Sequence, residues 1–71
     1  RSARGRADAV VKTPKYIYVF EFKLNGTAEQ ALRQIDDKGY LLPYQSDSRE
    51  LVKIGVEFSA EERNIGRWLV E

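Results

Sequence analysis

Asp8, Glu21 and Lys23 have the types and the spacing to do chemistry together. Carboxylates held a few ångströms apart repel, and a hard divalent cation shared by Asp8 and Glu21 would relieve that repulsion. The backbone carbonyl of Phe22 and water molecules could complete an octahedron of oxygens. An ion so held can polarise a phosphodiester and acidify water. Lys23 could orient the attacking water or neutralise charge gathering on phosphoryl oxygens. A Glu-x-Lys pair is among the commonest arrangements on solvated sheet faces, and alone it reads as that. The case therefore rests on what brings Asp8 to it.

The hydropathy pattern supplies the elements. Ala7 to Val11 is small, apolar and β-branched apart from Asp8, and Lys12-Thr13-Pro14-Lys15 follows as a turn in which Pro14 suits a central position. Tyr16 to Leu24 reads as a second strand. Tyr16, Tyr18, Phe20 and Phe22 share one of its faces; Ile17, Val19, Glu21 and Lys23 share the other. Both faces begin apolar, which predicts a central strand. A turn over Thr13 and Pro14, or over Lys12 to Lys15, sets Val10 opposite Ile17 and Asp8 opposite Val19. Glu21 is then the diagonal neighbour of Asp8 on one face, and Arg6 lies opposite Glu21. A turn of odd length would carry Asp8 to the aromatic face instead.

Asn25-Gly26 ends the strand, and Thr27-Ala28-Glu29-Gln30 has the form of a capping box. Ala28, Ala31, Leu32 and Ile35 then make a narrow apolar stripe, predicting a helix over residues 28 to 38, closed by Gly39. Leu51 to Phe58 alternates: Val52, Ile54, Val56 and Phe58 on one face, Lys53, Gly55 and Glu57 on the other. A half-exposed strand with the polar set in solvent is expected. Ile65 to Val70, with Trp68, returns as a last strand. The fold class is α/β (α+β), a mixed sheet in β-β-α-β-β order with one helix packed on it through a right-handed crossover. The aromatics of the second strand are expected as core under the helix in preference to a stacking platform for bases, and Trp68 as core or an oligomer contact.

Composition narrows the chemistry. The 71 residues include no Cys and no His, which excludes disulfides, thiolate or imidazole metal sites, cysteine nucleophiles and Ser/His triads. Any metal must sit among oxygens, favouring Mg²⁺ or Mn²⁺. A net charge of +1 announces no strongly charged partner. With no long apolar run and no signal-peptide pattern, a cytoplasmic location is expected. No Met is present, so the chain reads as a segment of something longer. Residues 1–5 are expected as a mobile basic arm and residues 6–71 as a single domain. Arg4 and Arg6 could meet phosphate. Lys12 and Lys15 read as solubilising charges and Asp36-Asp37 as a solvated face.

Asp8 ahead of a hairpin, then an apolar strand ending Glu21-Phe22-Lys23, resembles the D…(D/E)-x-K signature of the PD-(D/E)XK nuclease superfamily. Gly5-Arg6-Ala7-Asp8, Ile17 to Lys23, Ala31-Leu32-Arg33-Gln34-Ile35, Lys38-Gly39-Tyr40 and Gly55-Val56-Glu57-Phe58-Ser59 more closely resemble the nuclease-like domain at the C-terminus of bacterial AAA-type ATPase-like proteins. The resemblance implies a truncated restriction-endonuclease-like core, with Asp8 and Glu21 as Mg²⁺ ligands, Lys23 as the catalytic lysine and a helical Gln34 in a supporting role. It departs at Ala7, where the superfamily has proline, and in the helix and strand that precede the signature elsewhere. It implies Mg²⁺-dependent hydrolysis of DNA in the parent protein, or alternatively a catalytically inactive nuclease-fold binding or regulatory module attached to an ATPase. The partners implied are DNA, the ATPase domain of the same chain and, through an unpaired sheet edge, a second copy.

Overall fold

The computed structural model describes residues 6–71; the arm expected over residues 1–5, with Arg4, lies outside the described residues. Strands β1 (Ala9–Lys12) and β2 (Tyr16–Leu24) form a hairpin, helix α1 (Ala28–Asp37) follows, and β3 (Glu50–Ser59) and β4 (Asn64–Val70) complete a sheet of order β1-β2-β3-β4. β2 and β3 are parallel and both outer pairs antiparallel. The expected β-β-α-β-β order and mixed sheet are therefore present. A short 3₁₀ turn, Leu42–Tyr44, punctuates the connection after α1. No helix among the described residues is long and apolar enough to cross a membrane.

The hairpin register differs from expectation. Val10 faces Val19 and Lys12 faces Ile17, because the turn tip is Pro14-Lys15 instead of Thr13-Pro14. Thr13 closes the tip: its N–H donates to the Tyr16 carbonyl at 2.8 Å, and its Oγ1 accepts from the Tyr16 N–H at 2.9 Å. Pro14 thereby takes the first central position, where its fixed φ fits. The turn stays even in length, so the two-residue slide leaves the faces of β1 unchanged.

Helix α1 begins as its sequence demands. Thr27 accepts from the Gln30 N–H at 3.0 Å and the Gln30 side chain accepts from the Thr27 N–H at 2.9 Å, a complete capping box. Its other end is a Schellman closure: with Gly39 at φ 69°, the Gly39 N–H reaches the Asp36 carbonyl and the Tyr40 N–H reaches the Ile35 carbonyl.

The side of the sheet covered by the helix is the main departure. Ala28, Ala31, Leu32 and Ile35 pack on the face carrying Ile17 and Val19, so the polar-looking face of β3 lies under α1. Gly55 makes this possible. A Cβ there would stand 2.5 Å from the Ala28 carbonyl oxygen and 3.0 Å from the Ala31 Cβ. Lys53, at the same face, is neutralised by Asp36 at 2.9 Å and Glu71 at 3.0 Å. Asp36 is thus an ion-pair partner and more than a solvated charge. The aromatic face is open: Phe22 is 41% and Trp68 62% exposed, beside Phe20, Ile54, Ile65 and Val70. These aromatics are not core under the helix, since one helix covers one face and α1 took the other.

Candidate active site

Beyond the last rung of the hairpin, Ala9 with Phe20, the chain bends at Asp8. The Asp8 N–H donates to the Phe20 carbonyl at 3.1 Å and its Oδ2 accepts from the Phe22 N–H at 2.8 Å. This folds the Asp8 carboxylate against the edge of β2 where Glu21 turns inward. Asp8, not Arg6, therefore adjoins Glu21; Arg6 is exposed. A residue's N–H and C=O point to the same side of a strand, so the Phe22 carbonyl faces this edge too.

Glu21 is the one charged residue with a side chain in the described core, 5% exposed. It lies beside Gly55 in the parallel register, under the helix. Its Oε2 accepts from Gln34 Nε2 at 2.7 Å, while Oε1 is buried with no hydrogen-bond partner among the described residues. Burial pushes its carboxyl above the ordinary glutamate range, and the Asp8 carboxylate pushes it further, against the opposing pull of the Lys23 ammonium.

Lys23 Nζ donates to Gln34 Oε1, so Gln34 bridges the ammonium to the carboxylate with its oxygen toward Lys23 and its nitrogen toward Glu21. That order fixes the amide. Reversed, it would set donor against donor and acceptor against acceptor. The structure thus brings together Asp8, Glu21, Phe22, Lys23 and Gln34, from the hairpin and from α1. Lys12 and Lys15 stay at the far end, where Lys12 Nζ stands 5.5 Å from the centre of the Tyr44 ring. Tyr40 also belongs here, accepting from Gln34 Nε2 at 3.2 Å. The sequence carried two signals for it, its place just after the helix-ending glycine and the Lys38-Gly39-Tyr40 stretch that shares in the resemblance, but neither gave it a role.

The donor set fits a hard divalent cation. All the available atoms are oxygens, and an orphaned buried carboxylate oxygen is what a cation would satisfy. Among the described residues no third Asp, Glu, His or Cys joins the pair, so further ligands would be carbonyl and water.

A family model of the PD-(D/E)XK nuclease superfamily matches residues 1–68. The chain belongs to that superfamily. Nucleases of this superfamily generally use divalent metals. The chain is also 38% identical, over 99% of its length, to an uncharacterized protein encoded in the vnfD 5′ region of Azotobacter chroococcum mcd 1. It spans 14% of that relative. No solved structure matches.

Proposed function

We propose that this nuclease-like domain hydrolyses phosphodiester bonds of DNA in its parent protein with Mg²⁺ or Mn²⁺ held by Asp8, Glu21 and the Phe22 carbonyl. The observation that carries the reading is the orphaned Glu21 Oε1, buried beside the Asp8 carboxylate. When bound, the ion supplies Lewis-acid polarisation of the scissile phosphodiester. Asp8 and Glu21 provide the anionic cradle, oriented by the Phe22 N–H and the Gln34 amide respectively. Lys23, steadied by Gln34, directs its remaining N–H bonds to the attacking water or to a phosphoryl oxygen, where charge builds in the transition state.

A protein of parental length should nick supercoiled plasmid with Mg²⁺ or Mn²⁺ and lose that activity on Lys23→Ala. Nicking that persists in Lys23→Ala would overturn the role given to Lys23. The open face of Phe22, Ile65 and Trp68 favours a second reading, a non-cutting module docked on another domain such as an ATPase of the same chain. Wild-type protein that neither nicks DNA nor binds metal would decide for it.

A further inference from the structure

Among the described residues, Tyr40 is the one group touching the polar chain of the site for which the proposed chemistry has no use. It reaches that chain through the helix end. Gly39 reverses the backbone at φ 69°, and the bond from the Tyr40 N–H to the Ile35 carbonyl, 3.0 Å, returns Tyr40 along the last turn of α1. The ring packs against the cluster that contains Ile35, and the hydroxyl meets Gln34 Nε2.

The consequence follows from counting donors. Gln34 Nε2 has two hydrogens. One is taken by Glu21 Oε2 at 2.7 Å and the other by the Tyr40 hydroxyl at 3.2 Å, while Gln34 Oε1 accepts from Lys23. Both amide hydrogens are taken and the oxygen holds one donor, and the three partners come from β2 and from the residue just after the helix-ending glycine. A long side chain pinned at one or two points can pivot. Pinned at three, its amide plane is fixed, and with it the Glu21 oxygen that it holds and the one it leaves free.

We infer that Tyr40 is a positioning residue: its hydroxyl locks the Gln34 amide plane and so aims Glu21 Oε1 toward the Asp8 side, where the proposed cation is held. The inference rests on the proposed metal site for its consequence but not for its geometry. Tyr40 touches neither the proposed ion nor the substrate; it acts through Gln34. A partner bonded directly to a ligand, as Gln34 is to Glu21, typically changes metal affinity by about 10-fold or more when removed, and Tyr40, one bond further out, should change it by less.

The test is a double-mutant cycle with two readouts, Mn²⁺ affinity and the side-chain amide resonances of Gln34. Tyr40→Phe keeps the ring and its packing and removes only the oxygen. It should weaken Mn²⁺ binding several-fold, up to about 10-fold, and speed solvent exchange of the Gln34 side-chain protons. In a Gln34→Ala background the same substitution should leave affinity unchanged, because the group it acts through has gone. Equal losses in both backgrounds would show a merely structural tyrosine and overturn the inference. Unaltered Gln34 resonances in Tyr40→Phe would overturn it as well. Should wild-type protein bind no Mn²⁺, the metal reading fails by itself, and the Gln34 resonances still decide for or against the lock.

Discussion

Gly55→Ala adds one methyl group at the point where sheet, helix and site are closest. Its Cβ would lie 2.5 Å from the Ala28 carbonyl oxygen, 3.0 Å from the Ala31 Cβ and 3.2 Å from the Leu32 Cγ, where ordinary contact begins at 3.4 Å. The nearest obstacle is backbone and cannot swing aside. The helix must therefore lift from the sheet by roughly 1 Å to recover normal separations. It is tied to the sheet at that end by the bond from the Ala28 N–H to Glu57 Oε2, 2.9 Å, so the lift strains that bond and loosens Leu32 and Ile35. Overpacking of this kind costs about 1–3 kcal/mol. For a domain of this size that lowers Tm by on the order of 10 °C. Gly66→Ala is the matched control: the same chemical change in a neighbouring strand, whose nearest atom would be the Glu57 Cβ at an ordinary 3.6 Å. It should stay within about 0.5 kcal/mol of wild type. Thermal melts of the two variants, followed by circular dichroism, make the comparison. Equal shifts, or a Gly55→Ala melt within about 2 °C of wild type, would refute the packing of α1 on Gly55. Because Gly55 adjoins Glu21 in the register, the lift should also stretch the Gln34–Glu21 bond and weaken Mn²⁺ binding.

Glu21→Gln should raise Tm near neutral pH while abolishing metal binding, a stability gain at the expense of function. The sign follows from the raised carboxyl of Glu21: above roughly pH 4.3, the ordinary glutamate value, the folded state keeps a proton that the unfolded chain has released, so wild-type stability falls as pH rises through that interval. The Tm difference between variant and wild type should therefore widen upward from that pH and then level off; a constant or shrinking difference would count against a buried, strained Glu21. The exposure of Trp68, 62%, predicts red-shifted fluorescence readily quenched by acrylamide in dilute solution, and a blue-shifted, protected emission would show that face to be covered.

Much of the fold was legible because its signals are local. Thr27 and Gln30 announce the helix start, Gly39 its end, and alternation marks β2 and β3. The even hairpin kept Asp8 on the correct side even though the turn tip moved from Thr13-Pro14 to Pro14-Lys15. The face chosen by the helix was not legible. Both faces of β2 are apolar, and on β3 the set Val52, Ile54, Val56 and Phe58 is much the more hydrophobic. The deciding quantity was room, not hydrophobicity: Gly55 lets α1 approach closely enough to bury Ile17 and Val19, and ion pairing offsets the burial of Lys53. The candidate site follows the same division. Asp8, Glu21 and Lys23 are visible as a pattern, whereas Tyr40 stands in the resemblance without a role and gains its contact with the site only through the geometry of the helix end.

The central claim is that Asp8 and Glu21 hold a divalent cation, and the backbone amide of Phe22 is its most direct reporter, since it donates to Asp8 Oδ2 at 2.8 Å. Titration of this chain with Mg²⁺, followed by amide shifts, should move Phe22 most, along with Asp8, Glu21 and Lys23 on the same binding curve, and Asp8→Ala should abolish the response. A flat titration up to millimolar metal, or shifts that persist in Asp8→Ala, would contradict the account.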